Sequence, residues 1–254
     1  MINYSQYFSV TPAAEKSDYP KLVIPIFDLL ARDKIHLSIT ETNIRLACLN
    51  HTMNPLSISL VDKAKQLSQQ GNTKQPLLRA LGLQQSPHPN TTTFRVSDLT
   101  AGFGFDSLCV AMHGYPVISI EKNPITAAIL NVLVHQYQHA ATIEWEVVNQ
   151  CSETWLKQTK QTLSHAIMDP FFQKKQTSLP KNDMQWLIKL SQHTQKSDEV
   201  ELLSTAQTII KHRIVVKRDR RAPPINHQKP NAGSIQQKTT RLDIYQLTRV
   251  SDNE

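Results

Sequence analysis

Cysteine, glycine and aromatic residues are scarce in this chain, and it has no long apolar run. Of 254 residues, three are cysteine, six are glycine and 6% are aromatic. Cys48, Cys109 and Cys151 are far apart and odd in number, which argues against a disulfide framework or a zinc cluster and fits reduced thiols in a cytoplasm. Cys48 and Cys109 read as small buried hydrophobes. The longest charge-free stretch, from Asn123 to Ile143, is interrupted by His135, Gln136, Gln138 and His139, so no segment is expected to span a membrane. The opening Met1-Ile2-Asn3-Tyr4-Ser5-Gln6 lacks a basic stretch followed by an apolar core, and no secretory signal is expected. His135 and His139 are spaced i, i+4 but have no carboxylate or thiol to complete a metal site; they read as helix surface, and no metal is expected. A Gly-x-Ser-x-Gly nucleophile elbow is also missing.

What is present is a core's worth of apolar residues, 39%, and an excess of positive charge, 28 Lys+Arg against 21 Asp+Glu. The excess is concentrated: Lys211, Arg213, Lys217, Arg218, Arg220 and Arg221 against Asp219 give +5 in eleven residues. Such a block is commonly a solvated face, and it points to nucleic acid only in company with other signals.

Two loop-like stretches, 71–76 and 84–90, flank a short helix at Leu77–Leu81 with a glycine stop at Gly82. Upstream, Leu22-Val23-Ile24 and Ile35–Ile39 read as strands and Ile58–Gln69 as a helix. Residues 1–93 are taken as an N-terminal region and 94–254 as the main domain. From Phe94 the pattern becomes strand, turn, helix, repeated: strands at Phe94–Leu99, Pro116–Ile120, Ile143–Val148, His165–Met168 and Arg213–Lys217, with a closing strand at Leu242–Leu247. Asn123 caps a long helix that opens with Pro124 and runs to about His139, and a further helix lies around Glu199–Lys211. Strands alternating with helices imply right-handed crossovers and a mainly parallel α/β sheet, which binds ligands at the carboxyl ends of its strands. The unusual residues fall at those ends: Asp98, Gly102, Gly104, Glu121, Asp169, Lys217 and Arg218.

Gly102-x-Gly104 lets backbone approach a ligand, and Glu121, 19 residues after Gly102, can accept the hydroxyls of a ribose. A nicotinamide dinucleotide and S-adenosylmethionine both suit these features. The third glycine of the dinucleotide fingerprint would fall at Ser107, and the acids Asp98 and Asp106 suit a cationic sulfonium better than a pyrophosphate, which favours the methyl donor; Asp106 has the plainer reading of a helix cap. Asp169-Pro170-Phe171-Phe172 offers an acid at a strand end, a rigid proline and an aromatic face. Those parts can hold an exocyclic amine and stack its base for in-line methyl transfer, although a strand-end turn with two core phenylalanines has the same composition.

Asp98 to Asp106, Glu121-Lys122-Asn123-Pro124, Asp169-Pro170-Phe171-Phe172 with Lys174-Lys175-Gln176, Val215-Val216-Lys217-Arg218 with Ala222-Pro223-Pro224, and Arg241–Tyr245 together resemble the RsmJ family. Its members are bacterial methyltransferases of 16S ribosomal RNA that modify guanine N2. The resemblance covers about residues 76–247 and implies a Rossmann-like class I S-adenosylmethionine-dependent fold with a small N-terminal extension. It further implies donor contacts from Phe105, Asp106, Glu121, Lys122, Cys151, Ser152 and Asp169, to which the reading of the residues adds Asp98, Gly102 and Gly104 as donor-binding. Asp169, Pro170 and Phe172 would carry the chemistry, and S-adenosylhomocysteine would be the product. Phe105 stands where the family usually has Arg, and Phe171-Phe172-Gln173 where it commonly has Met-Phe-Pro. Lys174, Lys175, Lys217, Arg218, Arg220 and Arg221 would contact the RNA, a 16S rRNA or small ribosomal subunit, around an extruded or unpaired guanine. Neither a membrane nor a protein partner is expected. A DNA adenine methyltransferase, a nicotinamide-dependent oxidoreductase and a non-catalytic RNA-binding module remain the alternatives.

Overall fold

In the computed structural model, the described residues are 4–15, 18–69, 75–83, 94–170, 179–195 and 198–247. The N-terminal part contributes β1 (Phe8–Val10), α1 (Pro12–Glu15), α2 (Tyr19–Val23), α3 (Phe27–Asp33), β2 (Ile35–Ile39), β3 (Ile44–Cys48), β4 (Leu56–Ile58), α4 (Leu60–Gln69) and α5 (Pro76–Leu81). Its strands form a four-stranded sheet in the order β1-β2-β3-β4, with β1 parallel to β2 and the other pairs antiparallel.

The remainder runs β5 (Val96–Asp98), α6 (Phe105–Ala111), β6 (Val117–Ile120), α7 (Pro124–Gln138), β7 (Trp145–Val148), α8 (Ser152–Gln158), β8 (His165–Met168), α9 (Asn182–Leu190), α10 (Glu199–Ile209), β9 (Arg213–Asp219), β10 (Ser234–Gln236) and β11 (Thr240–Gln246). These strands form one sheet in the order β10-β11-β9-β8-β5-β6-β7, in which β5 to β9 are parallel and β11 is antiparallel to both its neighbours. The strand order reverses at β5, so a crevice opens at the carboxyl ends of β5 and β8, where ligands of such sheets bind.

Alternation along the strands explains the layers. Val96, Val117, Ile167 and Val215 feed a core shared with α5, α6, α7 and the N-terminal sheet. Ile118, Ile120, Ala166, Met168, Ile214 and Val216 face the opposite way, onto α8 and α10. Both faces are covered, as a parallel sheet requires. The core of the first face is continuous from Ala14 to Ile244, so residue 93 marks a change of sheet and not a break in packing.

One expectation fails here. Leu22-Val23-Ile24 is helical, not a strand: Val23 ends α2, and Ile24–Ile26 makes a single 3-10 turn. Tyr19, Val23, Ile26 and Leu30 are all buried, spaced 4, 3 and 4 residues apart. That is a helix period, and burial along it overrides the β-preference of the short apolar run.

Candidate active site

The loop after β5 is held by its own backbone and by buried acids. Gly102 (φ +54°) and Gly104 (φ +77°) adopt left-handed conformations, and a Cβ on Gly104 would lie 2.5 Å from Leu130 Cδ1. Asp98, 2% exposed, accepts the Thr100 N–H at 3.2 Å and the Ser107 hydroxyl at 2.7 Å. Ser107 Oγ lies 2.6 Å from Ser119 Oγ, which accepts the Trp145 indole N–H. Burial, reinforced by the charge of Asp106, pushes the Asp98 carboxyl up to about 7. Ser107, which stands where a dinucleotide fingerprint needs glycine, is thus fully buried at the centre of this relay.

Glu121, one residue past β6, reaches back to the glycine turn. Its Oε2 accepts the Gly102 N–H at 3.0 Å and its Oε1 the Asn123 N–H at 2.8 Å. Burial raises its pKa, while the N–H groups of Asn123, Gly102 and Lys122 pull the other way. Asn123 itself caps α7 and donates to the Leu190 carbonyl and Thr194 hydroxyl, tying α7 to the end of α9. The Lys122 ammonium donates to the Gln195 carbonyl, away from the glycine turn. Ser152, at the start of α8, donates to the Leu99 carbonyl at 2.6 Å, and Cys151 precedes it with its thiol donating to Glu153. Phe105 opens α6 with Lys63 of α4 over its ring, 5.2 Å from the centroid.

On the other side of β5, the Asp169 N–H donates to Thr100 Oγ1 at 2.6 Å. Met168 pairs with Val216, and the residues that follow each of them, Asp169 and Lys217, lie side by side at the strand ends. The Lys217 ammonium bridges Asp169 Oδ2 at 2.9 Å and Asp106 Oδ2 at 2.8 Å. Burial raises the Asp169 pKa and Lys217 opposes it; burial also works against the Lys217 ammonium, but the two carboxylates outweigh it and push its pKa up. Asp106 therefore binds Lys217, and the first turn of α6 has no side-chain cap. Thr100–Gly102 thus touches Asp169 at one end and Glu121 at the other.

Comparison with known proteins fits this geometry. The family described as "Putative SAM-dependent methyltransferase" matches residues 26–247. Ribosomal RNA small subunit methyltransferase J of Coxiella burnetii is 32% identical over 184 residues, 70% of this chain and 68% of that protein. The protein of the same name from Hydrogenovibrio crunogenus is 31% identical over 220 residues, covering 82% and 75%. The chain belongs to this methyltransferase family. A SAM-dependent methyltransferase from Neisseria gonorrhoeae, 20% identical, shares the fold with a TM-score of 0.67 over 96% of this chain and 97% of that one.

The residues at the crevice suit the donor of this methyltransferase family. A carboxylate accepts about four hydrogen bonds, so Glu121, with three backbone N–H groups upon it, retains capacity for a ribose hydroxyl. Gly102 and Gly104 are themselves buried, the first against Leu187 and the second against Leu130 and Trp145, and beside them Asp106 and Asp169 set two carboxyl groups against the single ammonium of Lys217. Among the described residues, no group of three or more His, Cys, Asp or Glu is placed to hold a metal ion, and no helix is long and apolar enough to cross a membrane.

The basic residues of this methyltransferase divide in a way the sequence reading did not anticipate. Lys217, its side chain 28% exposed, is paired with Asp106 and Asp169. Arg218 is 5% exposed and bonds Glu199 of α10 and the Pro223 carbonyl. Alternation is the cause: Lys217 shares the face of Val215 and α6, and Arg218 that of Val216 and α10. Arg220 and Arg221 are exposed. Pro170 is half-buried beside Asp169, whereas Phe172, Lys174 and Lys175 lie outside the described residues. The sequence reading missed the Lys217 bridge and the Thr100, Ser107 and Ser119 hydroxyls; strand alternation and register were the signals available for the first.

Proposed function

We propose that this S-adenosylmethionine-dependent methyltransferase modifies the exocyclic N2 of a guanine in small-subunit ribosomal RNA, with Glu121 and the Gly102–Gly104 turn holding the donor and Asp169 the acceptor amine. The supporting observation is the span of Thr100–Gly102, which joins Asp169 to Glu121 across one strand end. The small-subunit rRNA methyltransferases named above supply the substrate class.

When bound, S-adenosylmethionine supplies an electrophilic methyl on a sulfonium sulfur. Asp169 accepts one amine N–H, which turns the amine lone pair out of conjugation with the base, and Pro170 keeps the backbone that follows from swinging away. As nitrogen gains the methyl it sheds a proton, and the Asp169 carboxylate, its pKa raised by burial, is placed to take it. Phe172 would stack on the base. Residues 1–93 form an extension on the RNA side; α4 already reaches the donor loop through Lys63 and Phe105.

RNA contact falls to Arg220 and Arg221, with Lys174 and Lys175 beside Asp169 in sequence. No acid occurs from Arg220 to Leu242, a stretch that also carries exposed Lys229 and Lys238. Mass mapping of 16S rRNA from cells lacking the protein is the test. One N2-methylguanine should disappear and return with the wild-type chain but not with Asp169→Ala. A complete set of guanine modifications in the deletion strain excludes this substrate, and full rescue by Asp169→Ala excludes the mechanism.

A further inference from the structure

A lysine one residue past a β-strand's apolar run, in a basic block, ordinarily faces solvent phosphates. Lys217 does not: it is pulled inward between Asp106 of α6 and Asp169 at the end of β8, at 2.8 and 2.9 Å, with 28% of its side chain exposed. Asp106 and Asp169 belong to opposite halves of the crevice, the donor loop and the acceptor site, and among the described residues this ammonium is what joins the two side chains.

We propose that Lys217 is a positioning residue for methyl transfer, holding Asp169 ionised and its carboxylate fixed toward the donor loop. The claim rests on the reading that Asp169 holds the acceptor amine. Among the described residues, the titratable groups facing Asp169 are Asp98 from β5, Asp106 from α6 and Lys217 from β9. Two of these three are acids, so with Lys217 neutralised the described residues leave only acids around Asp169, which retains its proton to higher pH. A protonated Asp169 keeps a single acceptor oxygen, free to rotate, and cannot take up the proton the amine sheds.

The test compares wild type with Lys217→Met and Lys217→Arg. Carboxyl-labelled aspartate, followed by carbon NMR across pH without donor or RNA, reports the Asp169 midpoint directly, its signal assigned by its loss in Asp169→Asn. Lys217→Met should raise that midpoint by about one unit or more, the usual effect of removing an adjacent opposite charge, and Lys217→Arg should return it most of the way. In methylation assays the acid limb of the kcat/KM profile of Lys217→Met should move up in parallel, with the salt dependence of RNA binding unchanged. Should Lys217→Met fail to fold, Lys217→Gln carries the same comparison, because its amide can still bond one carboxylate but brings no charge. An unmoved Asp169 midpoint in the uncharged variant overturns the proposal, and a reduced salt slope beside an unmoved midpoint makes Lys217 a phosphate ligand instead. The NMR result stands whatever the RNA substrate proves to be, so failure of the proposed function and failure of this inference are separable.

Discussion

Glu121 and Asp169 flank β5 at the ends of neighbouring strands, and the two are held in different ways. Glu121 is fixed by main-chain N–H groups, those of Gly102 and Asn123 at 3.0 and 2.8 Å. Asp169 has its backbone pinned by Thr100, but among the described residues its carboxylate is held by one lysine side chain. A carboxylate held by backbone keeps its place unless the fold changes, whereas one held by a flexible ammonium can exchange that partner for another cation or amine. In the function proposed above, the donor half of the crevice is therefore held by backbone and the acceptor half by a side-chain ion pair.

If the donor half is rigid, disturbing its base should register mainly as stability. Folded Asp98 keeps its proton to about pH 7, whereas the unfolded chain releases it near the usual 3.8. Between those values the folded protein binds more protons than the unfolded one, so this acid's contribution to stability is full below about pH 4 and is lost as pH rises to 7. Asp98→Asn removes the titration while retaining an acceptor for the Thr100 N–H; its amide N–H replaces the oxygen that accepts from Ser107, whose hydroxyl can turn to Ser119. Its stability relative to wild type should rise with pH, by on the order of 3–4 kcal/mol between pH 4 and 8. A urea-unfolding difference that stays flat with pH refutes the buried-acid account.

Gly104→Ala attacks the same half sterically. Its Cβ would need the space of Leu130 Cδ1 and, at 3.0 Å, of Trp145, at φ +77°. A loss of about 3 kcal/mol is expected from overpacking and backbone strain, measured by urea unfolding. A loss below about 1 kcal/mol would show that the turn yields easily and that the contrast with the acceptor half is overdrawn. Glu121→Ala should cost less, weakening S-adenosylhomocysteine binding by about 1–3 kcal/mol through the removal of charge-assisted hydrogen bonds. Unchanged calorimetric affinity would leave Glu121 as a staple of the glycine turn with no ligand role.

The same contrast explains what could be read before the fold was known. The strands β5 to β9 were legible because each is a short apolar run closed by a turn residue, and α7 because Asn123-Pro124 marks its start. Asp98, Gly102, Glu121 and Asp169 followed, since alternation of strands and helices places all of them at one rim. Side-chain partners are set by the faces on which neighbouring residues of a strand lie, and those are obscured when a basic run is counted as a block. Lys217 and Arg218 were grouped as rim residues, yet one turns to α6 and the other to α10. α8, α9 and the four-stranded order of the N-terminal sheet were missed: α8 and α9 are not followed by a glycine stop such as the one that marks α5, and the pairing of β1 with β2 joins residues nearly thirty apart, Phe8 with Leu37.

The smallest expected effect belongs to the outer edge of the acceptor half. The buried Arg241 donates to the carbonyls of Asp219, Arg220 and Ala222, and Arg218 to that of Pro223. Two inward guanidiniums thus fix the turn after β9, so that Arg220 and Arg221 are presented outward on a defined surface. Replacing both with Ala leaves those carbonyl bonds intact, because they involve only the backbone of the replaced residues. Stability should therefore change by less than about 0.5 kcal/mol, while the slope of log binding constant against log salt for RNA falls by about 0.7 for each phosphate no longer neutralised. A slope equal to wild type assigns the pair to a solvated face and takes them out of the RNA contact.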